Sequence, residues 1–452
     1  MTRDLSQNGT HLNSQGTYAM ETVSSNASAV DSTASAHGHT RSLVIVTLLF
    51  FMWGLLTSLN DVLIPHLKAI YTLSYVQAML VQFCFFGAYF IVSLPAGNLI
   101  KRIGYQNGAV VGLVIAALGC AMFYPAAQSG YGLFLAGFFV LASGITILQV
   151  AANPFVTVLG PPQTASSRLT LTQAFNSLGT TVGPLFGGIL ILAAAAPAVM
   201  SVPAGSMSAA EQAAYRASEA ASVQVPYLIL AGLLLFLAVV FAMAKLPRIT
   251  HVDDAFTHGS ESVNRSILDH RNLVLGAIAI FLYVGAEVSI GSFLVNFLGE
   301  ENIAGMPAAE AAKYVSYYWG LAMIGRFIGF AVMRHVSPGK TLAFNSACAA
   351  GLILATILGD GRMAMYTILG VGLFNSIMFP TIFSMALHRL GKYTGQGSGL
   401  LCMAIVGGAI VPFVQGFFAD RVGIHLSFYV PMACYAFILF FGVKYARLYR
   451  PA

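Results

Sequence analysis

The sequence predicts an all-α integral membrane protein with twelve transmembrane helices in two six-helix halves. Hydrophobic residues make up 57% of the 452 residues and charged residues only 8%, a balance incompatible with the charged surface of a soluble protein. Apolar stretches of about 20 residues, each long enough to cross the hydrocarbon layer of a membrane, recur along almost the whole chain. The net charge of +6 is therefore attributed to the connecting loops and not to a nucleic-acid partner.

The twelve apolar stretches are numbered here as spans 1 to 12. They lie at about 43–67, 75–101, 107–126, 131–158, 167–196, 224–245, 272–298, 309–334, 339–358, 363–388, 394–419 and 424–448. The sequence before span 1 is rich in Ser, Thr and Asn, and a polar stretch separates spans 6 and 7. We therefore predict a disordered cytoplasmic tail at 1–40, a first half at 41–246, a central cytoplasmic loop at 247–271 and a second half at 272–452.

Lysine and arginine residues fall mainly on one side of the predicted membrane. This side carries Arg41, Lys101, Arg102, Arg168, Lys245, Arg248, Arg265, Arg271, Arg334, Lys340, Arg389, Lys392, Lys444, Arg447 and Arg450, whereas the opposite side carries Lys68, Arg216, Lys313, Arg362 and Arg421. Because cytoplasmic loops are enriched in basic residues, both termini are predicted to be cytoplasmic.

The two halves show traces of an internal repeat. Gly179, Pro184 and Gly188 in span 5 match Gly407, Pro412 and Gly416 in span 11, each at a shift of 228 residues. The pairs Asn153-Pro154 and Phe379-Pro380 lie at a similar shift of 226 residues. Paired halves with helices interrupted by Gly and Pro are typical of secondary transporters, whose site lies near the midplane between the halves.

Span 4 carries two amides in an otherwise apolar run, Gln149 and Asn153, and their i, i+4 spacing places them on one helical face. Pro154 follows and is predicted to break the helix locally. The backbone carbonyl that loses its helical donor must then be satisfied by a neighbouring helix. Since a polar stripe is costly against lipid, this face is predicted to line a bundle interior or an aqueous cavity.

Two carboxylates, Asp61 in span 1 and Glu287 in span 7, are the acidic residues well inside spans. Burial favours the neutral form of a carboxyl group and lets it exchange a proton near neutral pH. Both are therefore candidate proton carriers. The alternative is a structural carboxyl that is hydrogen-bonded to a neighbouring helix.

Further amides lie in spans 5 and 10, namely Gln173, Asn176 and Asn375. Amides both donate and accept hydrogen bonds, which suits a solute covered with hydroxyl groups, although each amide could instead join two helices. Arg326 in span 8 is expected to anchor helix packing on the cytoplasmic side. No metal or cofactor site and no enzyme motif is visible, and the five cysteines, all in apolar runs, predict no disulfide framework.

Several of these motifs resemble the fucose–galactose–glucose:proton symporters of the major facilitator superfamily, and the likeness covers nearly all of residues 43–448. The motifs are Trp53-Gly54, Leu59-Asn60-Asp61, the stretch from Ala151 to Gly160, the stretch from Gln173 to Ser177, and the stretch from Pro380 to Ser384. The resemblance implies the twelve-helix major facilitator fold, alternating access, and uptake of a hexose with a proton across a bacterial inner membrane.

Carried over by position, Asp61 matches the carboxylate of the family at the sugar site, and Gln173 and Asn176 match its sugar-contacting amides. Fucose permeases have a second carboxylate at the position of Gln149 and an aromatic hydroxyl at that of Phe379. These departures place the two-carboxylate relay in question, make Glu287 a candidate replacement, and point to the glucose/galactose branch.

We therefore expect a proton-coupled hexose importer with glucose or galactose as substrate. The partners are the sugar, the proton and membrane lipids, with no nucleic acid, and the protein is expected to be a monomer. Asp61, Gln149, Asn153, Gln173, Asn176, Asn375 and Phe379 are the predicted substrate-binding residues. The alternatives are a fucose or N-acetylglucosamine symporter, an uncoupled hexose facilitator, and a non-transporting sugar sensor.

Overall fold

Helices occupy the predicted spans wherever the structure describes the chain. The computed structural model describes residues 42–58, 75–187, 224–244 and 266–448, and these residues form helices and short connections without a strand. By length and composition, nine helices of this described part could cross a membrane. The helical, multi-pass architecture is confirmed, whereas the count of twelve crossings stays a prediction.

The helices are named here by the span in which they lie. They are Ser42–Ser58 in span 1, Tyr75–Ser129 across spans 2 and 3, Tyr131–Val158 in span 4, Ala165–Gly187 in span 5, Gln224–Met243 in span 6, Arg271–Gly299 in span 7, Ala308–Val332 in span 8, Pro338–Leu358 in span 9, Gly361–Asn375 and Met378–Ala386 in span 10, Thr394–Met403 and Gly407–Val422 in span 11, and Ile424–Ser427 and Tyr429–Lys444 in span 12. The predicted tail, most of the central loop, and Asp61 lie outside the described residues, so the domain division also stays a prediction.

Spans 2 and 3 meet without a loop. The gap predicted between residues 101 and 107 is reduced to Gly104, whose backbone has φ 82° and ψ 166° between two helical segments. Residues that carry a Cβ atom are strained at such a positive φ, whereas glycine adopts it readily and so permits this sharp turn.

The outer surface of the bundle is apolar. In span 6, for example, Tyr227, Leu230 and Leu234 are buried, while Leu228 and Phe236 are exposed. A soluble protein would place polar residues on the exposed face. The exposed apolar face is typical of a helix that contacts lipid.

The predicted repeat corresponds to two similar helix contacts. A Cβ atom at Gly179 of span 5 would collide with the carbonyl oxygen of Phe51 in span 1, and a Cβ atom at Gly407, at the start of the last helix of span 11, would collide with that of Phe281 in span 7. Glycine is required at both positions because the two backbones touch. The same close approach therefore occurs once in each half.

The two halves contact each other at the end of the bundle that carries Lys101, Arg102, Arg168, Arg334 and Arg389, called here the basic end. There the hydroxyl oxygens of Ser166 and Ser384 are 2.6 Å apart. In addition, Ser167 Oγ donates to the Phe330 carbonyl at 2.8 Å, and Gln396 Nε2 donates to Asn98 Oδ1 at 3.0 Å. These hydrogen bonds join spans 2 and 5 of the first half to spans 8, 10 and 11 of the second, so the bundle is closed at the basic end.

Candidate functional site

The two amides of span 4 are deeply buried in a helix that is buried along most of its length. Gln149 is 3% exposed and Asn153 is 0% exposed. Gln149 Nε2 donates to the hydroxyl of Tyr89 in span 2. Gln149 Oε1 and both polar side-chain atoms of Asn153 have no hydrogen-bond partner among the described residues. A buried polar group without a partner costs about 1–3 kcal/mol. A ligand with hydroxyl groups that bonded these atoms would remove this cost.

Pro154 does not break span 4, because the helix runs unbroken from Tyr131 to Val158. Proline lacks an N–H group, which leaves the carbonyl of Val150, four residues earlier, without its helical donor. Ser398 Oγ of span 11 donates to this carbonyl at 2.9 Å. The predicted compensation by a neighbouring helix is therefore present, and it comes from the other half.

The two amides of span 5 have different environments. Gln173 is 5% exposed, and its Nε2 has no partner among the described residues. Asn176 Nδ2, by contrast, donates to the Phe50 carbonyl of span 1 at 2.9 Å. Gly54 of span 1 leaves room for the backbone of Asn176, since a Cβ atom there would collide with its carbonyl oxygen. Asn176 therefore joins spans 1 and 5, and its predicted sugar contact stays a prediction.

Glu287 belongs to a hydrogen-bond network in the second half. Its Oε1 accepts from the Tyr283 hydroxyl at 2.7 Å, which also lies 3.1 Å from the backbone carbonyl of Asn375 in span 10. The side chain of Asn375 donates to the Tyr318 hydroxyl at 2.6 Å and accepts from the Tyr435 hydroxyl at 2.6 Å. Asn375 is 0% exposed. Through its backbone carbonyl and its side chain together, this residue of span 10 is bonded to spans 7, 8 and 12.

Span 10 is interrupted between Asn375 and Met378. Pro380 lacks the N–H group that would bond the carbonyl of Ser376, and Arg326 Nε of span 8 donates to that carbonyl at 3.2 Å instead. Phe379, which follows the interruption, is buried and lies with its ring centroid 5.6 Å from that of Phe383.

Arg326 also crosses between the halves. One of its guanidinium nitrogens, Nη1, donates to the Gln173 carbonyl at 3.3 Å and to the Ser177 hydroxyl, both in span 5. Its positive charge also acts on Glu287. The expectation that Arg326 anchors helix packing agrees with these contacts, which connect spans 5, 8 and 10.

The structure thus brings Gln173, Glu287 and Asn375 together through Arg326 and Tyr283. Gln149 is bonded instead to Tyr89 of span 2, and the side chain of Asn153 has no hydrogen-bond partner among the described residues. The tyrosines of the network were not predicted from the sequence, although the i, i+4 spacing of Tyr283 and Glu287 places both side chains on one helical face. Tyr89 offered no such signal, because its bond to Gln149 depends on how spans 2 and 4 pack.

Among the described residues, no group of three or more His, Cys, Asp or Glu side chains could hold a metal ion. The five cysteines are free thiols, and three of them are buried.

Comparison with known proteins identifies the family. Residues 46–405 match the Major Facilitator Superfamily. The chain belongs to this superfamily. A glucose/galactose transporter of Brucella abortus is 57% identical over 412 residues, which cover 91% of this chain and 95% of the relative. The L-fucose–proton symporter of Escherichia coli is 37% identical over 414 residues, covering 90% and 94% of the two chains.

A solved structure shows the same fold. A crystal structure of the superfamily transporter FucP in the outward conformation has a TM-score of 0.82 and 37% identity, and the match covers 90% of this chain and 99% of that one. The predicted major facilitator fold and the predicted family are confirmed.

Proposed function

We propose that this protein is a proton-coupled hexose symporter, with glucose or galactose as the substrate. It is a transporter and not an enzyme, as its family and relatives are transporters. The relative with 57% identity is named a glucose/galactose transporter, and the relative with 37% identity is named an L-fucose–proton symporter. The first supports the choice of sugar, and the second supports coupling to a proton.

The observation that carries the proposal is the set of buried amide atoms without partners. Gln149, Asn153 and Gln173 each have at least one polar side-chain atom that no described residue satisfies. These atoms include both donors and acceptors, which a sugar can match with hydroxyl groups that donate and accept. A site built in this way discriminates against ligands that leave its polar groups unpaired. A hydroxyl-poor lipophilic cation is therefore a poor substrate.

Proton coupling is assigned to Asp61 and Glu287. Asp61 has this role by its position in span 1 and by the family resemblance, and Glu287 by its place in the network with Tyr283 and Arg326. Gln149 cannot titrate, so the second titratable group of a relay must lie elsewhere. Each proton that moves inward down a potential of 100 mV supplies roughly 2.3 kcal/mol, so one carboxylate is sufficient to drive uptake.

The proposed cycle follows from the closed basic end. If this end faces the cytoplasm, as the distribution of lysine and arginine predicts, the described conformation receives sugar and proton from outside. Release inward then requires the contacts of Ser166 with Ser384 and of Ser398 with Val150 to separate. We place the protein in a bacterial inner membrane as a monomer surrounded by lipid, with both termini in the cytoplasm.

The test is uptake of labelled sugars by purified protein in proteoliposomes. Glucose, galactose, fucose and N-acetylglucosamine are compared with and without an inward pH gradient, with protein-free vesicles as the control. Glucose or galactose should accumulate above the external concentration only with the gradient. Equilibration without accumulation would favour an uncoupled facilitator, and sugar binding without any uptake would favour a sensor. Competition by a lipophilic cation, with none by any hexose, would refute a sugar site.

A further inference from the structure

The hydroxyl of Tyr283 lies between two oxygen atoms that can both accept its proton. Its oxygen is 2.7 Å from Glu287 Oε1 and 3.1 Å from the backbone carbonyl oxygen of Asn375. A tyrosine hydroxyl has one proton to donate, and a carbonyl oxygen can only accept. Both contacts can therefore be full hydrogen bonds only when Glu287 is protonated and donates its own proton to Tyr283.

The protonation state of Glu287 thus decides where Tyr283 donates. An ionised carboxylate is a stronger acceptor than a carbonyl oxygen. It therefore accepts the hydrogen bond from the tyrosine O–H group, and the Asn375 carbonyl loses this donor. A protonated Glu287 donates to the tyrosine oxygen, and the tyrosine O–H group turns to Asn375. No covalent bond changes in Tyr283, because its O–H group only rotates.

The Asn375 carbonyl lies where span 10 is interrupted. The helix Gly361–Asn375 ends there, and the next helix begins at Met378. Two consecutive carbonyls, those of Asn375 and Ser376, are held by side chains from other spans, namely Tyr283 of span 7 and Arg326 of span 8. When Tyr283 turns to Glu287, the carbonyl of Asn375 loses this side-chain donor, while the carbonyl of Ser376 keeps Arg326.

We propose that Tyr283 is a positioning residue that transmits the protonation state of Glu287 to the interruption in span 10. The proposal rests on the proposed symport of sugar and proton. Symport requires that proton and sugar favour each other's binding, and this coupling is reciprocal. When Glu287 is protonated, Tyr283 donates a hydrogen bond to the Asn375 carbonyl at the interruption. This bond orders the candidate sugar-contacting residues Asn375 and Phe379.

In the part of the chain that the structure describes, the other charged and titratable side chains that face Glu287 are Arg326 and Tyr318 of span 8 and Tyr435 of span 12. Tyr318 contacts the backbone carbonyl of Glu287 at 3.4 Å, and Tyr435 donates to the side chain of Asn375. Within the described residues, Tyr283 is the side chain that connects the Glu287 carboxyl group to the backbone of span 10 by hydrogen bonds. This makes Tyr435→Phe a matched control, because it removes a hydroxyl group from the same network without touching Glu287.

The first measurement is the apparent sugar affinity in counterflow, taken across a pH series with equal pH on both sides of the vesicle. Glu287→Gln should remove the part of the pH dependence that Glu287 contributes. Tyr283→Phe should remove the same part, with an affinity at acid pH up to about tenfold weaker than wild type, as expected for the loss of one neutral hydrogen bond to the Asn375 carbonyl. The double variant should show no further loss of pH dependence, and Tyr435→Phe should retain it.

The second measurement needs no sugar. Infrared spectroscopy during an acid titration should show the carbonyl band of protonated Glu287, identified by its absence in Glu287→Gln. Tyr283→Phe should shift this band and Tyr435→Phe should not. An unshifted band in Tyr283→Phe, or wild-type pH dependence of its sugar affinity, would overturn the proposal. A shifted band in a protein that transports no hexose would refute the proposed function and retain the hydrogen-bond switch.

Discussion

The hydrogen bond between Ser398 and Val150 provides a way to change the balance between the two access states. Pro154 leaves the Val150 carbonyl without a helical donor, and the Ser398 hydroxyl supplies one across the two halves at 2.9 Å. Since this bond forms only while the basic end is closed, Ser398→Ala should weaken the closed state alone. A net hydrogen bond contributes about 1 to 1.5 kcal/mol, so the ratio of closed to open molecules should fall roughly five- to tenfold.

The distance between spin labels across the basic end measures this ratio. Arg102→Cys and Lys392→Cys place labels on exposed positions in the two halves, after the partly buried Cys84 and Cys348 are replaced by serine. Ser398→Ala should increase the fraction of molecules with the longer distance.

Ser346→Ala is the matched control for Ser398→Ala. The Ser346 hydroxyl is also buried, but it donates at 2.8 Å to Leu342 within its own helix. An unchanged distance distribution in Ser398→Ala, or an equal change in Ser346→Ala, would show that the bond between the halves does not set the equilibrium.

Three further predictions concern the proposed proton and sugar sites. Asp61→Asn keeps the size of the side chain but cannot titrate, so proton-driven accumulation should disappear while counterflow continues; full accumulation under a pH gradient would assign Asp61 a structural role. Glu287→Gln should weaken sugar transport, and adding Gln149→Glu should restore some proton dependence of uptake. If no proton dependence returns, the two positions do not serve one relay. Asn153→Ala should raise the KM for the sugar about tenfold, which is the effect of losing one hydrogen bond. Its thermal stability should change little, because the Asn153 side chain has no partner among the described residues. A large loss of stability with an unchanged KM would contradict a sugar contact.

Much of the fold could be predicted from the sequence because its signals are local. Composition and the length of the apolar stretches indicate a bundle of membrane helices, since a chain that crosses the hydrocarbon layer must satisfy its own backbone hydrogen bonds. The pairing of Gly179 with Gly407 predicted a repeat, and the structure shows the same backbone contact at both positions. The buried amides Gln149 and Asn153 could also be predicted, because polar residues are costly inside an apolar span.

The partner of each polar group was decided only by the tertiary structure. Nothing near Asn176 in the sequence predicts its bond to Phe50, and nothing near Asn375 predicts its bonds to Tyr318 and Tyr435. A hydrogen bond requires its two groups to approach within about 3 Å, and helix packing sets that distance between residues far apart in the chain. The sequence by itself therefore determined which residues must find partners inside the membrane, and helix packing determined that Tyr283 lies between Glu287 and the interruption in span 10.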